Sequence, residues 1–400
     1  MSLEFAKEEL TFILICHFGL EKILKSEVRN LGFAITDVVD GEVKVKGTIN
    51  DIPKLNYNLR TAERVMIEIN SFKAMVPDEL YENAKKCEIE KFVPINGEFP
   101  VTKANQDKNS VLKSSMANQK TVKKAFVERL KNIYKTDVLS EDKGKYPFRV
   151  KFNKNICSIR LDTTGDSLHK RGYRIKAGLA PIEETLAAAL IKLVEYKKGD
   201  ILVDPFCGSG TIPIEAALIT RNMPVSIDRA FVSETWDIID KSIWKNERDI
   251  AIKKIYKNDE DKIKIYGFDI DSQMIKIANE NAKRAGVDDI IHFEVCDIKD
   301  LASNKIIKDI IDDEKLKLNK KIILTNPPYG VRLEDKDSVV SIYENLKKVY
   351  DELQCFDMNI ITSFENMQKI FGKEHKNRKI YNGMIKTYIY SYLGSDKVWM

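Results

Sequence analysis

The chain has 400 residues, 43% of them apolar, and a formal net charge of +5. That length is too great for one small hydrophobic core and predicts two or more domains. No apolar run approaches the about 18 residues of a membrane span. The opening "MSLEFAKEELTFILICHFG" is acidic early and lacks a signal-peptide cleavage pattern, so a cytoplasmic protein is expected.

Cys16, Cys87, Cys157, Cys207, Cys296 and Cys355 form no C-x-x-C, and the histidines His17, His169, His292 and His375 do not pair at ligand spacing. Reduced, mostly buried thiols and no metal site are the expectation. The charge is unevenly placed. Ala84 to Lys176 holds 22 Lys and Arg against 10 Asp and Glu, a net of +12, which leaves −7 for the rest. A basic middle suggests contact with a polyanion in one region, against the blander reading of lysines scattered along the whole chain.

In chain order, "LTFILICHFG" (10–19) predicts a strand and turn, and "LEKILKSEVRNLG" (20–32) a helix ending at Gly32. "GEVKVKG" (41–47) alternates as a strand does, and 51–72 reads as helix, turn and strand. In the basic block, 76–93 begins at a Pro-Asp helix entry and 98–106 is strand-like. "QKTVKKAFVERLKNIYK" (119–135) puts Val122, Phe126, Leu130 and Ile133 on one helical face, and 146–165 alternates as two strands. A polar, basic linker, 166–184, follows. From 200 onward strands and helices alternate, which predicts a doubly wound, mostly parallel sheet. The aromatic, alternating 384–394 after "YNG" predicts an antiparallel hairpin closing its edge.

Four stretches sit at successive strand ends. "VDPFCGSGT" (203–211) is a Gly-rich strand-to-helix turn. It is not a P-loop, because no Gly-Lys-Ser/Thr follows, and Pro213 stands where a dinucleotide fingerprint has its third Gly. Asp269 ends the next strand, where a carboxylate can accept from both ribose hydroxyls of a nucleoside. Asp271 reads better as a helix N-cap or a secondary contact. Asp297 ends a third strand, where it could accept from an adenine amine; a cap or solvated turn is the plain alternative for each Asp alone. The fourth, "NPPY" (326–329), offers the Asn326 side-chain oxygen and the Pro327 carbonyl as acceptors, two prolines that hold them still, and the Tyr329 ring as a stacking face. Two acceptors can draw a planar nucleobase amine toward sp³ and aim its lone pair, which is catalysis by positioning.

With these residues in place, 166–400 resembles the class I S-adenosylmethionine-dependent methyltransferases that act on amino groups, most specifically in "DPFCGSGTIPIEAA" and "TNPPYG". The resemblance implies a cofactor site at Asp204, Pro205, Phe206, Gly208, Gly210, Asp269, Asp271 and Asp297. It implies a catalytic tetrad of Asn326, Pro327, Pro328 and Tyr329, with no metal. "LDTTGDSLHKRGYR" (161–174) and "APIEETLAAALI" (180–191) are similar to the junction in bacterial THUMP-domain RNA methyltransferases that make N2-methylguanosine in large-subunit ribosomal RNA. That implies a ferredoxin-like domain at 1–57, a THUMP RNA-binding domain at 58–165 and a Rossmann-like α/β catalytic domain at 166–400. RNA is the implied partner, and His169, Lys170, Arg171 and Arg174 are expected near its phosphates.

Asp204 and Asp269 are 65 positions apart, against about 20 between such elements in nucleotide-binding folds. The excess, 222–262, reads as one or two helices in which Trp236, Ile239, Ile243 and Trp244 pack at helical spacing, with a lid or docking surface as the alternative. The tetrad alone leaves guanine N2, adenine N6 and a protein amide open, and transfer RNA stays open beside ribosomal RNA. A cytosine C5 methylase is excluded, since neither Cys207 nor Cys296 lies in a Pro-Cys context. A non-catalytic RNA-binding protein would have let the Gly loop or tetrad decay, and both are intact.

Overall fold

The computed structural model describes residues 5–174, 182–225, 227–256, 264–329, 336–383 and 385–394. Part of the linker (175–181), the end of the insertion (257–262) and Gly330 of "TNPPYG" lie outside them. The chain folds as two compact units. The first comprises 1–16, 24–168 and 227–251, and the second 17–23, 169–226 and 252–400.

The first unit is built on one seven-stranded sheet. Its strands are β1 (Leu10–Cys16), β2 (Ile35–Val39), β3 (Glu42–Gly47), β4 (Ala62–Lys73), β6 (Val101–Gln106), β8 (Phe148–Asn153) and β9 (Ile156–Asp162), in the order β2-β3-β1-β4-β9-β8-β6. The short β5 (Gly97–Glu98) and β7 (Lys143–Lys145) pair separately. β4 hydrogen-bonds to β1 on one side and β9 on the other, so a single sheet runs across residue 57. The helix Ser115–Tyr134 buries Val122, Phe126 and Leu130, as its periodicity predicts, and Phe126 meets Phe148 edge-on at 4.8 Å.

Residues 227–251 of the insertion belong to this unit's core. Trp236 is fully buried, stacks on Tyr146 at 5.1 Å and donates its indole N–H to the Lys145 carbonyl at 2.8 Å. Phe231 and Trp244 stack at 5.5 Å and both meet Tyr57 edge-on. Packing is therefore what these residues do, but not on one helix: Trp236 and Ile239 precede the helix Lys241–Lys253 that carries Ile243 and Trp244.

Much of the basic block is neutralised by the fold. Arg160 and Lys151 converge on the buried Glu42, and Arg64 and Arg149 on the buried Asp162. Lys85, Lys91, Lys123, Arg129 and Lys145 also hold carboxylate partners. A buried carboxylate requires such pairing, and sequence counting cannot see it. Lys103, Lys108, Lys113 and Lys120 remain exposed on β6 and around the start of the 115–134 helix.

The second unit carries β10 (Ile201–Asp204), β11 (Ile265–Asp269), β12 (Ile291–Val295), β13 (Lys321–Thr325), β14 (Asp357–Thr362), β15 (Lys376–Asn382) and β16 (Ile385–Tyr392), in the order β12-β11-β10-β13-β14-β16-β15. β10 to β14 are mutually parallel, and β16 runs antiparallel between β14 and β15. The expected Rossmann-like α/β architecture with an antiparallel final strand is thus present. The outermost strand is β15, and the final strand sits one place in. β10, β13 and β14 are buried throughout, as strands covered on both faces must be.

Candidate active site

Because β12, β11, β10 and β13 are parallel neighbours, their carboxyl ends line one edge of the sheet. That edge is where open α/β sheets bind ligands. The order brings together what the sequence separates: Asp204 on β10 and Asp269 on β11 flank the Gly turn, Asp297 follows β12, and Asn326 follows β13.

The Gly turn runs from Asp204 into the helix Thr211–Thr220. Gly208 and Gly210 have φ of +51° and +84°, the left-handed region that glycine enters freely. A Cβ on Gly210 would come within 2.9 Å of the Phe293 ring and 3.0 Å of Ala278, so the turn also needs its smallness there. A Cβ on Gly208 would meet nothing within 4 Å, which leaves open space over the turn. Asn281, buried on the helix Ser272–Ala285, donates to the Ser209 carbonyl at 3.0 Å and fixes the turn from below.

Asp204 is buried and accepts from the Thr325 hydroxyl at 2.7 Å and the Phe206 amide at 3.2 Å. Burial pushes its pKa up to about 7, against the pull of those two hydrogen bonds. Burial likewise pushes the Cys207 thiol well up, which favours its neutral form. Asp269 accepts from the Gly208 amide and the Asp271 amide, both at 2.9 Å, one on each oxygen. Its pKa too is raised, chiefly by burial. Each oxygen retains accepting capacity for a ligand hydroxyl.

Asp271 caps the following helix, accepting from Gln273 at 2.7 Å, as its position predicts. Asp297 also acts as a cap, accepting from Lys299 at 3.0 Å through one oxygen. Its second oxygen lies 3.9 Å from the Lys299 ammonium. Two apolar side chains that sequence reasoning passed over stand beside these carboxylates: Ile270 is 68% exposed and Val295 49% exposed. At strand ends they offer the dry surface that the flat face of a nucleobase would cover.

In the tetrad, Pro327 is buried, Pro328 exposed and Tyr329 half-buried. The Asn326 side-chain oxygen is buried and has no hydrogen-bond partner among the described residues. A buried acceptor left unpaired costs about 1–3 kcal/mol, so this oxygen has accepting capacity that no described residue takes up. The Tyr329 hydroxyl accepts from the Asn382 side-chain amide at 3.2 Å. Thr325, one residue before the tetrad, ties it to the Gly turn, and nothing in its composition marks it beforehand. Asn281 could have been found as a polar residue on the buried face of a helix.

The expected phosphate contacts fare differently. His169 is half-buried with Nδ1 3.7 Å from Glu183, and Lys170 is exposed. Arg171 and Arg174 instead turn inward. Arg171 lies 3.4 Å from the fully buried Glu215, to which Tyr173 also donates at 3.1 Å. Arg174 lies 3.2 Å from Glu184 and donates to the Thr211 hydroxyl at 2.8 Å. The reason is two buried carboxylates, Glu215 for Arg171 and Glu184 for Arg174, each of which needs a cation. These arginines brace the Gly turn.

A parallel sheet with one reversed strand near its edge, binding at its carboxyl ends, is the architecture of Rossmann-like S-adenosylmethionine-dependent methyltransferases. Residues 171–390 match the model of the RMKL-like methyltransferase domain, 11–66 that of the RlmL ferredoxin-like domain, and 58–280 a DNA methylase model. The chain belongs to the RMKL-like methyltransferase family. It is 39% identical to "Putative RNA methyltransferase YpsC" of Bacillus subtilis (strain 168), over 96% of each chain. It is 29% identical to the ribosomal RNA large subunit methyltransferase K/L of Psychromonas ingrahamii, covering 97% of this chain and 51% of that one, so it spans about half of that relative. The crystal structure of SMU.472, complexed with S-adenosylhomocysteine, superposes with a TM-score of 0.87 at 32% identity, over 98% of this chain and 100% of that one.

Proposed function

We propose that the protein methylates an exocyclic nucleobase amine in RNA, with guanine N2 of large-subunit ribosomal RNA as its substrate. The observation that carries the reaction is the buried Asn326 oxygen beside two prolines, without a partner among the described residues. The K/L relative supports the substrate, although its activity belongs to a protein about twice as long. Residues 58–165 are read as the THUMP RNA-binding domain, 1–57 as the ferredoxin-like domain and 166–400 as the catalytic domain, acting in the cytoplasm.

The donor supplies a methyl group on a sulfonium sulfur. Asp269 would accept from the ribose hydroxyls, Asp297 from the adenine amine, and Ile270 and Val295 would cover the ring. The Gly208–Gly210 turn and Asp204 would hold the methionine end. At the acceptor, the Asn326 oxygen and the Pro327 carbonyl take the two N–H bonds of the amine and turn its lone pair toward the methyl group. Tyr329 stacks on the extruded base. The proton leaves to water after transfer, and no covalent bond to the chain forms.

Adenine N6 is the second reading, favoured by the match to a DNA methylase model. Labelled methyl transfer to ribosomal and transfer RNA lacking the modification, followed by nucleoside mass spectrometry, decides between them. N2-methylguanosine from the large-subunit RNA is expected; N6-methyladenosine, or no label in either RNA, overturns the proposal.

A further inference from the structure

The outer part of one face of the β15–β16 hairpin carries side chains that take no part in the methyl-transfer site described above. Its register places Tyr381 opposite Lys386, and Lys379 opposite Tyr388. Partners and alternate residues share a face of a strand pair, so these four side chains stand together as a checkerboard of two rings and two ammonium groups. The Lys379 ammonium lies 5.2 Å from the Tyr381 ring, and the Lys386 ammonium 5.2 Å from the Tyr388 ring. Phe18, 37% exposed, extends the row by meeting Tyr381 edge-on at 5.6 Å. Arg378, donating to the Gly19 carbonyl at 3.1 Å, holds that turn in place.

The inner half of the same face is covered. Tyr392 is buried against Tyr350 and Phe371, and Tyr390 is packed beside them. The helix Met367–Phe371 that covers them is only five residues long. In the outer half both lysines are exposed, and Tyr381 and Tyr388 are half-buried. Glu374, a nearby acid, lies at the far end of the hairpin and is engaged by Gln368 and Asn377.

The tip reaches the reaction. Thr362, the last residue of β14, pairs with Tyr388, so β16 begins three residues beyond that strand end, and β15 continues to Asn382 beside it. Asn382, one residue past Tyr381 and so rooted on the other face of the hairpin, bonds Tyr329 and sets the tip beside the tetrad. A strip of alternating rings and cations whose outer end adjoins the tetrad is what an unpaired polynucleotide needs: faces for its bases and charge for its phosphates.

We propose that the Phe18–Tyr381–Tyr388 face, with Lys379 and Lys386, is a stacking platform for unpaired RNA nucleotides flanking the target base. The proposal rests on the RNA reading above. It deepens that reading by predicting a substrate presented in a loop or bulge, and by moving part of the RNA contact from the basic block to the catalytic unit.

The test uses the full chain and a fluorescent 12-nucleotide RNA, single-stranded or annealed to its complement, read by anisotropy across a salt series. The wild type should prefer the single strand. Tyr381→Leu with Tyr388→Leu should weaken single-strand binding about tenfold or more, and duplex binding far less. Lys379→Gln with Lys386→Gln should flatten the log–log salt slope by roughly 0.7 per lysine. S-adenosylhomocysteine affinity, measured by calorimetry, should stay normal in both variants. Unchanged single-strand affinity in the Tyr variant, with normal cofactor binding, overturns the platform while leaving the RNA reading intact. A wild type with normal cofactor binding and no affinity for either RNA overturns the RNA reading itself.

Discussion

The Thr325 hydroxyl donates to the Asp204 carboxyl at 2.7 Å, joining two stretches 121 positions apart. Asp204 opens the Gly turn and Thr325 immediately precedes Asn326. The proposed donor and acceptor sites therefore share one buried hydrogen bond. Thr325→Val keeps the β-branched shape and removes the hydroxyl, leaving Asp204 with the Phe206 amide as its hydrogen-bond donor among the described residues. A loss of about 1–3 kcal/mol in stability is expected, with weaker S-adenosylhomocysteine binding, and Thr325→Ser should restore most of both. Melts and calorimetry on the two variants check this; a Val variant with normal affinity and stability would uncouple the two sites.

Asp204 sets an expected pH dependence. Its folded pKa is about 7 and its ordinary value 3.8, with burial the larger cause. Between those values the folded state holds a proton that the unfolded state has released. Its contribution to stability is thus present at low pH and lost as pH rises toward 7. The donor is a cation, so it should favour the ionised carboxylate. Affinity for S-adenosylmethionine should rise from pH 6 to pH 8 while the stability of the unliganded protein, relative to Asp204→Asn, falls. In Asp204→Asn both trends should vanish. Calorimetry and thermal melts across the range provide the check, and a pH-independent affinity in the wild type would remove Asp204 from the donor site.

These groups differ in how far they can be read beforehand. Asp204, Asp269 and Asn326 are legible because each ends an apolar strand run, and parallel neighbours must align their ends. The 115–134 helix is legible because one face carries its apolar residues. Arg171 and Arg174 are not, because their direction depends on Glu215 and Glu184, 44 and 10 positions away, which are buried only in the finished fold. The basic block misleads for the same reason: Arg160 and Lys151 count as free charge until Glu42 closes on them. Trp236 and Trp244 show the remaining limit. Apolar spacing marks them as packing residues but cannot say that a segment between β10 and β11 joins the core of the other unit.

Asn326 should separate binding from chemistry. Its side-chain oxygen is buried and unpaired, so removing it costs the resting protein no hydrogen bond among the described residues. Asn326→Ala should keep normal S-adenosylhomocysteine affinity and a melting temperature at or near the wild type's. Methyl transfer should fall by about a thousandfold, the scale of losing one preorganised polar contact that strengthens toward the transition state. Single-turnover transfer measured beside calorimetry gives both numbers. Turnover within tenfold of the wild type would take the amine away from Asn326.

Asn382 makes a sharper prediction, because it touches the tetrad without belonging to it. Its amide donates to the Tyr329 hydroxyl at 3.2 Å from the end of β15. Since Tyr329 is proposed to stack on the base, Asn382 would hold the ring in its stacking orientation and act only through it. Asn382→Ala should lower kcat about tenfold with little change in KM for the donor, and Tyr329→Phe, which removes the same bond from the other side, should do the same. The double variant should then be no worse than either single one, the mark of two residues acting through one interaction. Asn382→Asp should recover much of the loss, since the Tyr329 hydroxyl can reverse the bond and donate to the carboxylate. A merely structural Asn382 would give additive losses and no recovery by Asp, and steady-state kinetics of the four variants distinguishes the two.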